Sequence, residues 1–245
     1  GSRSSVKTPK TQISRRWTSF GMKPRNLKKA KAGTLSTGKK MASPVELWGL
    51  TGGVAAGKSL VAQVFREAGI PVINADEIAA ELRRPGGAAH GAIIKRFGTA
   101  DRAKLRETVF TDATARRDLE AIMHPLIQTE SMNRIASWIR DRDKKGLKGP
   151  LRAIYEAALL VETKRHTSPD FAGLLVVEAP IDLRRLRLMK RDGLTSEMAD
   201  QIMKAQISDD ARRRVASHVF VNDGGAEDMR TQVLAFIRER GWGAV

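Results

Sequence analysis

The 245-residue chain contains no cysteine, which removes disulfides, thiolate metal sites and cysteine nucleophiles at once. That suits a reducing compartment, and a cytoplasmic location is expected. Aromatic residues are only 5% of the chain and Tyr155 is its one tyrosine. A stacking platform for single-stranded nucleic acid needs more than this, so no specific nucleic-acid partner is expected. There is no apolar run of about 18 residues or more, so no membrane-spanning helix and no membrane partner are expected. The four histidines show no metal-ligand spacing, which argues against a protein-held transition metal.

Acidic residues are also missing from positions 1–43, which hold twelve of the 44 Lys and Arg. The other 202 residues balance 32 basic against 27 acidic side chains, so the net charge of +17 belongs mostly to this tail. Rich in Ser, Thr, Lys, Pro and Gly, the tail has too little to bury to offset its ordering entropy, and it reads as disordered. Three origins fit it. It is a non-native or mis-started leader (Gly1-Ser2 resembles a cleavage scar and Met41 precedes the first strand), a solvated native extension, or a basic organelle-targeting segment.

What is present is concentrated at residues 52–59. Gly52-Gly53-Val54-Ala55-Ala56-Gly57-Lys58-Ser59 fits G-x-x-x-x-G-K-[ST] without a gap. The apolar run 45–50 before it reads as a buried strand. Leu60, Val61, Val64 and Phe65 after it have helical spacing. A strand, a glycine turn and a helix start together form a nest of backbone N–H groups at a positive dipole end, which is built for nucleotide phosphates. Lys58 reaches the outer phosphates and the Ser59 hydroxyl can ligate Mg²⁺, while Val54, Ala55, Ala56 and Leu60 need supply only amides.

Downstream the pattern alternates as a parallel α/β sheet requires. Strands are expected at 71–74, 151–155, 174–178 and 219–221, with a closing helix over about 227–240. Residues 88–145 read as mostly helical, including an amphipathic stretch from about Pro125 to Arg142 with the proline in its first turn. The expected fold is α/β, a P-loop NTPase fold: a five-stranded parallel sheet flanked by helices, with a helical substrate-binding insertion and a lid. The core takes 44–76, 150–182 and 216–245, the insertion 77–149, and the lid about 183–215.

Phosphoryl transfer asks for a carboxylate and mobile cations beside the phosphate nest. Asp76 closes the second strand and reads equally as the base for an acceptor hydroxyl or as the cap of the helix that follows. Glu156 or Glu162, near the end of the third strand, can orient the metal's waters or the acceptor, and capping explains them nearly as well. Arg184, Arg187 and Arg191 share one helix face, which reads as a solvated surface or as the cationic face of a hinged lid. His124-Pro125 reads as packing rather than chemistry.

Taken in order, these residues resemble the dephospho-coenzyme A kinase family. The likeness runs through Leu50-Thr51-Gly52-Gly53-Val54, Gly57-Lys58-Ser59, Val72 to Asp76 and His124-Pro125-Leu126-Ile127. It continues in Ala158 to Glu162, Arg187, Lys190-Arg191-Asp192, Ala205-Gln206 and Val221 to Gly224, and so spans 45–245. The resemblance implies transfer of the γ-phosphoryl of ATP to the 3′-hydroxyl of dephospho-CoA, with ATP and Mg²⁺ required; a monomer is expected in preference to an oligomer. It implies that Asp76 is the base, Arg187 and Arg191 are lid cations, and Asn222 and Gly224 belong to the adenine loop. Residues 77 to about 145 would hold the acceptor. Asn74, Ala55, Ala56, Leu60 and Ala158 depart from the family pattern, yet none removes a group that the chemistry needs. A P-loop kinase for another small acceptor is the nearest alternative; a nucleic-acid binder using the basic tail is the more distant one.

Overall fold

The computed structural model describes residues 44–242, so the readings of the basic tail lie outside the described residues. Strand β1 (Val45–Gly52) leads through the glycine turn into α1 (Lys58–Glu67). Strand β2 (Val72–Asn74) runs directly into α2 (Ala75–Arg83). Helices α3 (His90–Phe97), α4 (Arg102–Thr111) and α5 (Ala113–Lys144) then precede β3 (Leu151–Glu156). After β4 (Phe171–Glu178) come α6 (Ile181–Asp192), α7 (Ser196–Lys204) and α8 (Asp209–Val215), and then β5 (His218–Val221) and α9 (Ala226–Glu239).

The five strands are all parallel, in the order β2-β3-β1-β4-β5, so the expected P-loop α/β sheet is present with β1 at its centre. Parallel strands buried on both faces sort their side chains by alternation. In β4, Leu175 and Val177 join α1 and α9 in a core with Phe65, Phe220, Val233 and Phe236. Leu174 and Val176 face the other way, onto Ile78 of α2 and Ile135 of α5. The register aligns Leu50 with Glu156 and Asn74 with Glu156. The carboxyl ends of three adjacent strands therefore open onto one edge, where ligands of open α/β sheets bind.

Two expectations need correction. Strand β1 continues to Gly52 because Gly52 still pairs with Val177 of β4. The helix read from Pro125 starts at Ala113, and Pro125 sits well inside it. Asp112 caps that helix through the amides of Thr114 and Ala115. An interior proline removes one helical hydrogen bond. Packing of Met123, Leu126 and Ile127 with Ile93 and Leu105 carries the helix through the defect.

Candidate active site

The loop is shaped by close contacts that only glycine allows. A side chain at Gly52 would meet the Val177 carbonyl at 2.3 Å, and one at Gly57 (φ 106°) would meet Asn222 Nδ2 at 2.1 Å. At Gly53 the Arg184 guanidinium lies 2.3 Å from where a Cβ would stand. Ala55 adopts a left-handed φ of 58°, a conformation that costs a non-glycine residue about 1–2 kcal/mol. Its methyl packs with Val54 against Leu188, Ala199 and Met203 of α6 and α7, which helps hold it there. Gly57→Ala is expected to weaken nucleotide binding by at least about tenfold and to lower stability by about 1–3 kcal/mol, as calorimetric titration and urea unfolding would show.

Several groups in the nest are left for a ligand. Ala56 N–H is taken by the Gly53 carbonyl and Val54 N–H by Gln206 Oε1 at 2.8 Å. Leu60 N–H, expected to supply an amide to the phosphates, is drawn into the first turn by the Gly57 carbonyl at 3.0 Å. The amides of Gly57, Lys58 and Ser59 have no acceptor among the described residues. Orphaned N–H groups at a helix start, beside a lysine and a hydroxyl, fit phosphate oxygens and a hard cation. Lys58 Nζ donates to the Gly52 carbonyl at 3.1 Å. Burial pulls its pKa below the ordinary lysine value, against the opposing pull of Glu156 and Asp76.

The carboxylate side is assembled by β2, β3 and α2. Of the two readings of Asp76, the cap is not formed: Asn74 is the N-cap, its Oδ1 accepting from Asp76 N at 2.9 Å and Glu77 N at 3.1 Å. Because β2 enters α2 without a loop, the last strand residue is the only one placed to cap. Asp76 is exposed and its carboxylate accepts no hydrogen bond within the described residues. Asn74 Nδ2 also donates to Glu156 Oε2 at 3.2 Å, and Glu156 is only 4% exposed. Burial raises the Glu156 pKa above the usual carboxylate value, and Lys58 opposes that shift. Where a second aspartate would have crowded Glu156, the amide of Asn74 orients it. Glu162 takes no part here; its Oε1 pairs with Arg212 at 2.9 Å.

The other flank comes from α6. Arg187 Nη2 donates to Asn222 Oδ1 at 3.2 Å, and Asn222 Nδ2 donates to the Ala56 carbonyl at 2.8 Å. Arg187 Nη1 is buried without a partner, a donor that awaits an anion. Arg191 is not brought to the loop: it is exposed and bonds its neighbour Asp192 through Nε and Nη2 at 2.7 and 2.8 Å. Gly224 lies in the turn before α9, where a side chain would strike Asp228 Oδ2.

Behind the loop lie two buried arginines: Arg184, read from sequence as part of a solvated or lid face, and Arg212, to which the sequence assigned no role. Arg184, only 4% exposed, donates from Nε to the Val54 carbonyl at 2.9 Å and from Nη1 to Asp209 at 2.8 Å. Arg212, 1% exposed, bridges Asp209 and Glu162. The spacing of Asp209 and Arg212 at a helix start was the available signal.

A phosphate nest on the central strand, with Glu156 at the end of the neighbouring strand, Asp76 in the first turn of the helix after the next, and an underemployed arginine opposite, defines a phosphate-loop phosphotransferase. Comparisons with known proteins agree and go further. The dephospho-CoA kinase family profile matches residues 47–228. A dephospho-CoA kinase of Thiobacillus denitrificans is 43% identical over 195 residues, covering 76% of this chain and 91% of that protein. One from Chromobacterium violaceum is 38% identical over 203 residues, covering 80% and 93%. The crystal structure of TT1252 from Thermus thermophilus superposes with a TM-score of 0.65 at 29% identity, over 80% of this chain and 97% of that one. The chain belongs to the dephospho-CoA kinase family.

Proposed function

We propose that the chain transfers the γ-phosphoryl of ATP to the 3′-hydroxyl of the ribose of dephospho-CoA, giving coenzyme A and ADP. Family membership supports the reaction, and the apposition of the phosphate nest with Asp76 and Glu156 supports the mechanism. Lys58 and the orphaned loop amides bind the β- and γ-phosphates. Ser59 would hold Mg²⁺, with Glu156 as the nearby carboxylate, and the ion would supply charge neutralisation at the phosphate oxygens. Asp76 takes the proton of the 3′-hydroxyl as its oxygen bonds to the γ-phosphorus and the bond to the β-phosphate oxygen breaks. Arg187 stabilises the charge on the transferring group. Asn222 and Gly224 border the adenine, Arg191 is a further cation of the lid, and the monomer suffices.

A coupled assay offering dephospho-CoA, adenosine, AMP and shikimate tests this. Turnover is expected with dephospho-CoA and strongly reduced or absent with the others. Preference for any other acceptor would move the chain to a different small-molecule kinase class. Deleting residues 1–43 is expected to leave turnover unchanged.

A further inference from the structure

The acceptor must be placed as carefully as the nucleotide, and α2 supplies a ruler for it. Asp76 and Arg83 are seven residues apart on this helix, so they share a face two turns and about 10 Å apart along its axis. Arg83 Nε is buried and has no hydrogen-bond partner. Arg102 and Arg106 lie four apart on α4, also on one face. Both are exposed, and neither guanidinium has a hydrogen bond or ion pair among the described residues. Arg102 lies close enough to Arg83 to depress its pKa, after burial itself. Asp101, the nearby anion, is occupied in capping α4 through the amides of Ala103 and Lys104.

These cations face the lid. Both Arg102 and Arg106 act on Asp192, the last residue of α6. The same helix places Arg187 against the phosphate loop five residues earlier. Helix α6 therefore runs from the nucleotide nest to the arginines of the insertion, with the Asp76 face of α2 joining the same two ends. Arg83 and Arg102 repel one another, Arg106 stands one turn on from Arg102 on the same face, and an anion bound among them relieves that repulsion.

We propose that Arg83, Arg102 and Arg106 form the subsite for the diphosphate of the acceptor, the group that joins its adenosine to its pantetheine arm. This rests on the dephospho-CoA reading. Only a ribose and its 5′ methylene separate that diphosphate from the reacting hydroxyl, so anchoring it at the far end of α2 sets the hydroxyl at Asp76. The subsite makes the enzyme selective for a nucleoside diphosphate ester over a neutral nucleoside.

The test is steady-state kinetics with dephospho-CoA and ATP on Arg102→Gln, Arg106→Gln and the double variant, with Arg106→Lys and the exposed Lys95→Gln beside them. Loss of a charge-assisted contact is expected to raise the acceptor KM by about tenfold or more for each Gln variant. The ATP KM is expected to stay within about twofold, a split that general structural damage does not give. Arg106→Lys is expected to recover part of the loss, and Lys95→Gln to show none. The acceptor KM of the double variant should depend less steeply on salt, since two charges fewer meet the ligand. An unchanged acceptor KM in the double variant overturns the proposal, as does an equal rise for both substrates. Failure of the unmodified protein to phosphorylate dephospho-CoA at all would instead refute the reading on which the subsite rests.

Discussion

Asp76→Asn is expected to lower kcat by about 10²- to 10⁴-fold, the range lost when a positioned general base is removed. Binding of ATP–Mg²⁺ is expected to persist, because the loop amides, Lys58 and Ser59 are untouched. The structure makes this substitution unusually clean. Asp76 bears no capping duty, since the amides of Asp76 and Glu77 are held by Asn74. Its carboxylate is exposed and accepts no hydrogen bond from the described residues, so folding stability is expected to change by less than about 0.5 kcal/mol. Asn74→Ala is the converse. It removes a cap worth about 1 kcal/mol and releases Glu156 from its amide partner, so urea unfolding should move to lower concentration. Retention of near-normal kcat by Asp76→Asn would transfer the base assignment to Glu156, the other carboxylate within reach of Lys58.

The contrast between Asp76 and Asn74 shows where sequence stopped being legible. Both residue types cap helices, and the choice depends on the length of the connection between β2 and α2, which is zero. Nothing in the residues themselves states that length. The phosphate loop could be read because its chemistry is in the backbone, and backbone geometry dictates glycine at Gly52 and Gly57. Strand β4 could be read because burial on both faces leaves an unbroken apolar run from Leu174 to Val177.

The arginines behind the loop were hidden for the opposite reason. A basic helix face usually means solvent, and the partners that bury Arg184 and Arg212 stand elsewhere in the chain. Asp209 is 25 residues from Arg184, and Glu162 is 50 residues from Arg212. Pro125 misled through a local rule that tertiary packing overrode. Arg187 and Arg191 matched one pattern and differ in place: one touches the loop through Asn222, the other only its neighbour Asp192.

Arg187→Ala is therefore expected to have the second largest effect, a fall in kcat of about 10²- to 10³-fold with a smaller change in the ATP KM. Its Nη1 is buried without a partner, and in a site that excludes water such a donor contributes most when negative charge develops on the transferring group. Arg187→Lys is expected to rescue little, since an ammonium cannot hold Asn222 and a phosphoryl oxygen with one planar fork. Asn222→Ala separates the two jobs of this flank. It releases the Ala56 carbonyl as well as Arg187, so it should raise the ATP KM where Arg187→Ala mainly lowers kcat. Because Asn222 Oδ1 fixes the Arg187 guanidinium, the double variant is expected to lose less than the product of the single losses. Strictly multiplicative losses would mean that Arg187 reaches the phosphoryl group without Asn222, and that the contact between them carries no catalytic weight.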